Sequence, residues 1–561
     1  MKMHLLKDCI KVETCGEPLP DDIMVLEPYH FNRNRTIYYF SLMKMPEVLK
    51  VFGKDVNMLP APVKAKYDYI LWQRRKMQQL LAFGPENNPV VNEHLTLRRH
   101  QQLAREVAQV YGKFAFYYDT RTGKTPLSIS IILDDLKQHP EHKWLVVAPL
   151  VLLDLAWAED FRKFAPEVNV VVCHDKTKAK RIEKIQSDAS VYILNTESFV
   201  NYIGYFNGVT RLILDESSSM KNKSSKFSKA IVDFSRTADR LYLLSGTPAP
   251  NGAHEYYRQI QSIDYYGIQQ SFAQFKNKYF LNLARDVRFE QLVLRPDMAD
   301  ELQELIHQYA LYVNKEDVLD TPGRKMIEYP VDMPEDVKQH YKTMKKDLYS
   351  TVAEDIDILA PSAATKLNKL NQITSGFLID TDARQANALA KHHGQEADKQ
   401  EVYFLSDFRF AALRRLLDEI GDEQAIIWAN YHVEFEYIQR MLGGKCACVY
   451  GLTSQEDKVT NIRKFKEGNV QYLVANPASA DKGLTLTNAH ICIYFSLNWS
   501  YEAFKQSMER IYGDRSIQPH ECLYYIIEAK GSVNEVIYRD VLVGKQDASQ
   551  TILDYLKADD L

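Results

Sequence analysis

Two stretches of the 561-residue chain alternate short apolar runs with segments of helical periodicity. That alternation constrains the fold more than any other feature. In residues 93–262 the runs are FAFYY (114–118), KWLVVAP (143–149), VNVVVC (168–173), SVYILN (190–195), RLILD (211–215) and RLYLLS (240–245). In residues 401–545 they are AIIWAN (425–430), CACVYG (446–451), VQYLVAN (470–476), AHICIYFS (489–496) and CLYYII (522–527). A strand apolar on both faces is covered on both faces, which is the signature of a parallel sheet between helical layers. The runs end in polar or turn residues, where such sheets carry their ligands. The expected fold is α/β, with two parallel-sheet lobes.

Residues 263–400 lose the alternation and read as a helical insertion, with the polar stretch 385–400 as a loop. Residues 1–92 form a small N-terminal accessory domain. It combines the strand-like TIYYFSLM from Thr36 with a basic helix, VKAKYDYILWQRRKMQQLLAF, that GPENNP (84–89) ends. Lys64, Lys66, Arg74, Arg75 and Lys76 interleave there with Tyr67, Tyr69 and Trp72. This pattern fits a grip on nucleic acid, or a solvated helix face with its aromatics in the core. Residues 546–561 read as a capping helix.

Composition excludes several classes. A hydrophobic content of 45%, with 22 Gly and 21 Pro, rules out disorder and collagen-like repetition. Lys and Arg number 70 against 74 Asp and Glu, a net charge of −4, so a nucleic-acid surface would have to gather its cations on one face. The seven cysteines include no CxxC pair, which argues against structural zinc, and their odd number fits reduced thiols. Asp8 and Lys11 interrupt any signal-peptide core, and the most apolar run, from Trp144, contains Asp154 and is too short to span a bilayer. The expectation is a cytoplasmic protein with no membrane partner.

The strongest chemical signal is DTRTGKT, residues 119–125, between the run FAFYY and the apolar helix PLSISIILDDL. A strand–loop–helix of this kind presents backbone N–H groups to phosphate. Arg121, Thr122 and Gly123 form the cradle, Lys124 supplies a point charge to the phosphates, and Thr125 offers a hydroxyl to Mg²⁺. The full phosphate-loop pattern has Gly at position 118, where this chain has Tyr118. In RLILDESSSMKN, Asp215 ends a buried run, as an acid that holds Mg²⁺ through water does, and Glu216 is placed to orient or deprotonate attacking water. LYLLSGTPAPNG then sets Ser245 and Thr247 at another strand end.

Taken in order, these motifs resemble helicase superfamily two, and within it the Swi/Snf-like branch of DNA translocases. The resemblance covers about residues 95–530. LRRHQ (97–101) resembles the leading motif, which implies that Gln101, with Arg98 beside it, reads adenine. WLVVAPLVLLDLAWAEDFRKFAP resembles a motif with a Trp-bearing helix beside the tracked strand, and YILNTES (192–198) the DNA-side motif that follows. DESSSMKN resembles the DEAH-type motif, with Ser218 in place of the His that couples hydrolysis to DNA movement. LNKLNQITSGF (367–377) and the segment from Leu473 to Ser500, with Gly483, Leu484, Leu486 and Trp499, resemble later motifs. In QSMERIYGDRSIQ, Gln506 and Arg510 match the last motif. Position 513 is Gly rather than the second Arg, and a two-residue insertion makes Arg515 that arginine.

The resemblance implies two RecA-like lobes that bind ATP and Mg²⁺ in a shared cleft and step along duplex or branched DNA. Lys124, Asp215, Glu216, Gln506, Arg510 and Arg515 would be catalytic. Arg98, Gln101, Arg121, Thr122, Gly123, Thr125 and Gly483 would bind the nucleotide, and Thr125 and Asp215 the metal. Sequence-independent backbone contacts would fall to Thr196, Ser198, Lys221, Asn222, Thr247 and Trp499. The compact length suits a monomeric bacterial or phage repair or recombination factor. Two rivals stand: an RNA helicase, against which the motif at 367–377 weighs, and a nucleotide-gated scaffold with weak hydrolysis, against which the intact GKT, DE and SGTP motifs weigh.

Overall fold

The computed structural model describes residues 2–14, 26, 30–31, 37–269, 271–282, 292–347, 349–353, 356–359, 363–380, 402–477 and 485–539. The chain divides into two compact units, Met1–Leu319 and Asp320–Leu561. The expected loop at 385–400, the expected capping helix at 546–561 and Gly483 lie outside the described residues.

The first unit begins with an antiparallel sheet of β1 (Lys2–Leu5), β2 (Cys9–Glu13), β3 (His30–Phe31) and β4 (Ile37–Ser41), ordered β1-β2-β4-β3. Its core is Ile10, Val12, Phe40, Val48, Leu49 and Ile70, the last from helix α1 (Ala61–Phe83). Gly84, at φ +86°, ends α1 in a backbone region that suits glycine. Along α1, Arg74 pairs with Glu47 and Lys76 with Glu86, both at 2.6 Å. Tyr67 packs against the N-terminal core, whereas Tyr69 and Trp72 stack on each other at 5.5 Å and are each 43% exposed.

The main sheet of this unit follows helix α2 (Arg99–Val110). It contains β5 (Lys113–Tyr118), then helix α3 (Lys124–Gln138), β6 (Trp144–Ala148), β7 (Val170–Val172), β8 (Val191–Asn195), β9 (Arg211–Leu214) and β10 (Arg240–Leu244). After helix α4 (Tyr256–Ile263) a seventh strand, β11 (Ala310–Val313), completes it. The order is β11-β5-β10-β9-β6-β8-β7 and every pairing is parallel. Every residue of β6, β8 and β9 is buried, as their unbroken apolar runs require. Two cores, one on each face of the sheet, take alternate residues of the same strands: Leu145 and Val147 on one, Val146 and Ala148 on the other.

The second unit builds a six-stranded parallel sheet from β12 (Arg324–Val331), β13 (Ala425–Trp428), β14 (Cys446–Val449), β15 (Tyr472–Ala475), β16 (Ile491–Tyr494) and β17 (Cys522–Ala529), ordered β12-β17-β16-β13-β15-β14. Helix α5 (Ala363–Thr374) precedes β13, and helix α6 (Tyr501–Met508) lies between β16 and β17.

The segment 263–400 holds the expected helices, at Phe272–Tyr279, Ala299–His307, Glu335–Asp347 and in α5. It also gives each sheet an edge strand, β11 and β12, which the sequence reading passed over. An edge strand has one neighbour and open faces, so it needs no continuous apolar run; β12 reads RKMIEYPV and is buried only at Val331. No described helix is long and apolar enough to cross a membrane.

Candidate functional site

The loop 119–123 joins β5 to α3 and is held from three sides. Gly123 opens α3 at φ +83°, and a Cβ there would collide with the Gln101 carboxamide. Gln101 Nε2 donates to the carbonyls of Thr122 and Gly123, each at 3.1 Å, while its Oε1 accepts from the Arg98 backbone N–H at 2.8 Å. Gln101 thus caps α2 and fastens the loop with one side chain. His100 adds a ring-nitrogen bond to the Thr122 carbonyl at 2.7 Å, and burial holds its pKa below the usual value. Tyr118, where the phosphate-loop pattern has Gly, is fully buried and donates its hydroxyl to the His100 carbonyl at 3.0 Å. The departure is therefore a tie between β5 and α2.

Lys124 Nζ donates to the carbonyls of Tyr118 and Asp119 at 2.9 and 3.3 Å, and Thr122 Oγ1 donates to Asp119 O at 2.7 Å. The third side is the end of β11 and the chain just after it. Asp119 N–H donates to Val313 O, Lys315 N–H donates to Asp119 Oδ2 at 3.0 Å, and the buried Lys315 Nζ reaches Thr120 Oγ1 at 3.3 Å. Thr125, half-buried, lies one residue into α3.

The acid pair ends β9. Asp215 Oδ1 accepts from the Glu216 N–H and Oδ2 accepts from the Trp157 indole, both at 3.0 Å. Burial, and secondarily the neighbouring Glu216 charge, push the Asp215 pKa up to about 6, against the opposing pull of Lys124. Trp157 is fully buried, so its indole points inward onto the acid rather than outward to a tracked strand. Ser245, at the end of β10, donates to Glu216 Oε2 at 3.4 Å and accepts from the Thr247 N–H at 3.1 Å.

Among the described residues, the non-glycine positions with positive φ are Arg121 (+67°) and Glu216 (+53°). Such backbone costs about 1–3 kcal/mol per residue and persists only where the surroundings impose it. Both strained positions fall here, one in the loop and one in the acid pair. The donor set of an ammonium, a glycine-opened loop and two carboxylates fits a nucleotide phosphate with a hydrated divalent cation.

In the second unit, Gln506 sits half-buried on α6 and Arg510 is 3% exposed just beyond it. The Arg510 carbonyl accepts from the Leu486 N–H at 2.9 Å. Gln518 Nε2, buried, donates to the carbonyls of Ala489 and Ile511 at 2.7 and 3.0 Å and closes the turn that contains the two-residue insertion. Arg515 is 53% exposed and paired with Asp320 at 3.1 Å.

The nucleic-acid candidates differ in access. Lys221 and Asn222 are exposed, Thr196, Thr247 and Trp499 are half-buried, and Ser198 is buried at 5%. Sequence reasoning assigned no role to His100, Gln259 or Lys315, and placed the helix bearing Trp157 beside a tracked strand. The apolar helix around Trp157 signalled a buried indole, which needs an acceptor. The other three carried no local signal.

Residues 116–389 match the SNF2-related domain, and residues 409–512 match the helicase conserved C-terminal domain. The chain is 25% identical over 449 residues to the putative protein p41 of Acyrthosiphon pisum secondary endosymbiont phage 1, covering 74% of this chain and 89% of that one. It is 24% identical over 486 residues to the DNA repair and recombination protein RDH54 of Saccharomyces cerevisiae, covering 78% of this chain but only 50% of the yeast protein. A solved structure, the Sulfolobus solfataricus SWI2/SNF2 ATPase core in complex with dsDNA, is 19% identical, with 84% of this chain and 95% of that one covered at a TM-score of 0.37. The first matched domain takes in the phosphate loop, the acid pair and the SGTP turn, the second takes in Gln506 and Arg510, and the chain belongs to the Swi/Snf-like branch of helicase superfamily two.

Proposed function

We propose that this chain is an ATP-driven translocase that tracks duplex or branched DNA, remodelling forks, migrating branches or displacing bound protein in repair or recombination. The observation that carries this reading is the convergence of Lys124, the buried Asp215–Glu216 pair and Ser245 on the carboxyl ends of adjacent parallel strands, with strained backbone at Arg121 and Glu216. ATP supplies the transferable phosphoryl group and Mg²⁺ draws negative charge from it.

Lys124 exchanges its two loop carbonyls for phosphate oxygens. Asp215 and Thr125 hold the hydrated cation. Glu216 takes the proton of attacking water, and Ser245 holds Glu216 in place. Gln101 reads the base, with Arg98, Arg121, Thr122 and Gly123 lining the nucleotide. Gln506, Arg510 and Arg515 stabilise charge developing during hydrolysis. Thr196, Ser198, Lys221, Asn222, Thr247 and Trp499 contact the DNA backbone.

Residues 93–262 and 401–545 make up most of the two motor lobes, while 263–400 links them and supplies β11 and β12 to their sheets; 1–92 is an accessory domain for DNA structure and 546–561 a terminal helix. The phage relative is in keeping with a protein of a bacterium or an infected host. The SNF2-related match favours DNA over RNA as the track. The test is ATP-dependent displacement of a third strand from a DNA duplex track. Displacement by the wild type and none by Lys124→Ala supports the reading; none by either defeats it.

A further inference from the structure

Helix α4 and the residue that caps its start, Glu255, present three side chains, four residues apart at most, that hold the acid-pair loop and the SGTP loop. Gln259 is fully buried at their centre. A carboxamide offers two donors and two acceptor positions, and here each side is used. Its Oε1 accepts from Ser217 Oγ at 2.7 Å and from the Tyr117 hydroxyl at 3.0 Å. Its Nε2 donates to Pro248 O at 2.8 Å, with a weaker contact to Glu255 O at 3.4 Å. Ser217 follows Glu216 directly, and Pro248 follows Thr247 in the SGTP turn. The flanking residues repeat the pattern. Glu255 accepts from Asn251 N–H at 3.2 Å and from Asn251 Nδ2 at 2.7 Å, and Arg258 Nε donates to Lys223 O at 3.0 Å.

We propose that Gln259 is a positioning residue that makes the acid-pair loop and the SGTP loop move as one body, and so transmits DNA engagement to Glu216. The need for such a route lies at Ser218, which stands where the DEAH-type pattern has its coupling histidine. Ser217, one residue earlier, reaches the SGTP turn through the Gln259 amide. The candidate DNA contacts Thr247, Lys221 and Asn222 lie within a few residues of the two anchored points. A displacement at either loop is carried to the other because a buried carboxamide that lets go of one partner leaves both groups unsatisfied.

This inference rests on the DNA-stimulated ATPase reading above. The experiment compares wild type, Gln259→Leu and the double variant Tyr117→Phe with Ser217→Ala. It records the KM for ATP, hydrolysis with and without duplex DNA, and third strand displaced per ATP consumed. For Gln259→Leu the expected result is a KM and a DNA-free rate within about twofold of wild type, with DNA stimulation lowered about tenfold, in the range of ordinary coupling between sites, and fewer strands displaced per ATP. A purely structural role would lower both rates together and leave displacement per ATP unchanged. The double variant removes only the acceptor-side bonds and decides the matter in the same way should Gln259→Leu not fold. Unchanged stimulation and unchanged displacement per ATP in a folded variant overturn the inference alone. A wild type that no DNA stimulates overturns the function proposed above, and this inference with it.

Discussion

The two units present their candidate site residues in opposite ways. In the first, several side chains of the site are held by partners distant in sequence: Gln101 on the loop carbonyls, Trp157 on Asp215, Ser245 on Glu216. In the second, Arg510 is buried beside a backbone-bonded turn, while Arg515 stands in an exposed ion pair with Asp320. The first unit is pre-organised, with strain at Arg121 and Glu216 held by its surroundings. The second keeps one arginine in place and leaves the other to an interaction worth less than about 1 kcal/mol, easily exchanged for a stronger one. On the function proposed above, the first unit would carry a rigid loading site and Arg515 an exchangeable trigger.

The largest test of this contrast removes the loading charge. Lys124→Ala is expected to lower the hydrolysis rate at least about 10³-fold, as loss of a phosphate-binding cation does, read in a steady-state assay with a matched melting temperature. Next comes the trigger. Arg510→Ala is expected to slow hydrolysis about 10³-fold and Arg515→Ala about 10²-fold, with nucleotide affinity retained. Asp320→Ala, which frees Arg515, should leave the rate equal or raise it. A rate unchanged by Arg515→Ala would reduce Arg515 to a surface ion pair.

A smaller effect follows from the tightness of the loading site. Gly123→Ala places a Cβ against Gln101 at φ +83°, and should raise the KM for ATP about tenfold. The smallest effect is on pH. Asp215 must be ionised to hold a cation, and its raised pKa of about 6 puts the acid limb of kcat/KM near that pH in the free protein. The Trp157 indole bond favours the ionised form, so Trp157→Phe should move the limb to higher pH and leave the plateau within about twofold. A limb that stays put or moves down would contradict the pairing.

The same contrast explains what the sequence could disclose. Lys124, Asp215 and Glu216 were legible because phosphate and metal chemistry demands those residue types at strand ends, and strand ends are visible as the close of apolar runs. Both sheets were legible for the same reason, apart from β11 and β12, whose edge positions permit mixed sequences. Tyr118 read as a defect in the loop pattern, since its partner is the His100 carbonyl, 18 residues earlier. Gln259 was invisible because its bonds to Tyr117 and Ser217 close over 142 and 42 residues, and nothing local marks a glutamine that will be buried. Likewise the tie from Lys315 to Thr120 spans 195 residues and exists only once β11 has paired with β5. Chemistry at the strand ends is written locally, and the bonds that hold it are written in the fold.

The most direct test of the central claim is steady-state ATP hydrolysis with no nucleic acid, single-stranded DNA, linear duplex, a four-way junction and RNA, with Lys124→Ala as the control. The account predicts strong stimulation by duplex or junction DNA that the substitution abolishes. Stimulation by RNA alone, or tight ATP binding with no stimulated hydrolysis on any of these, would contradict it.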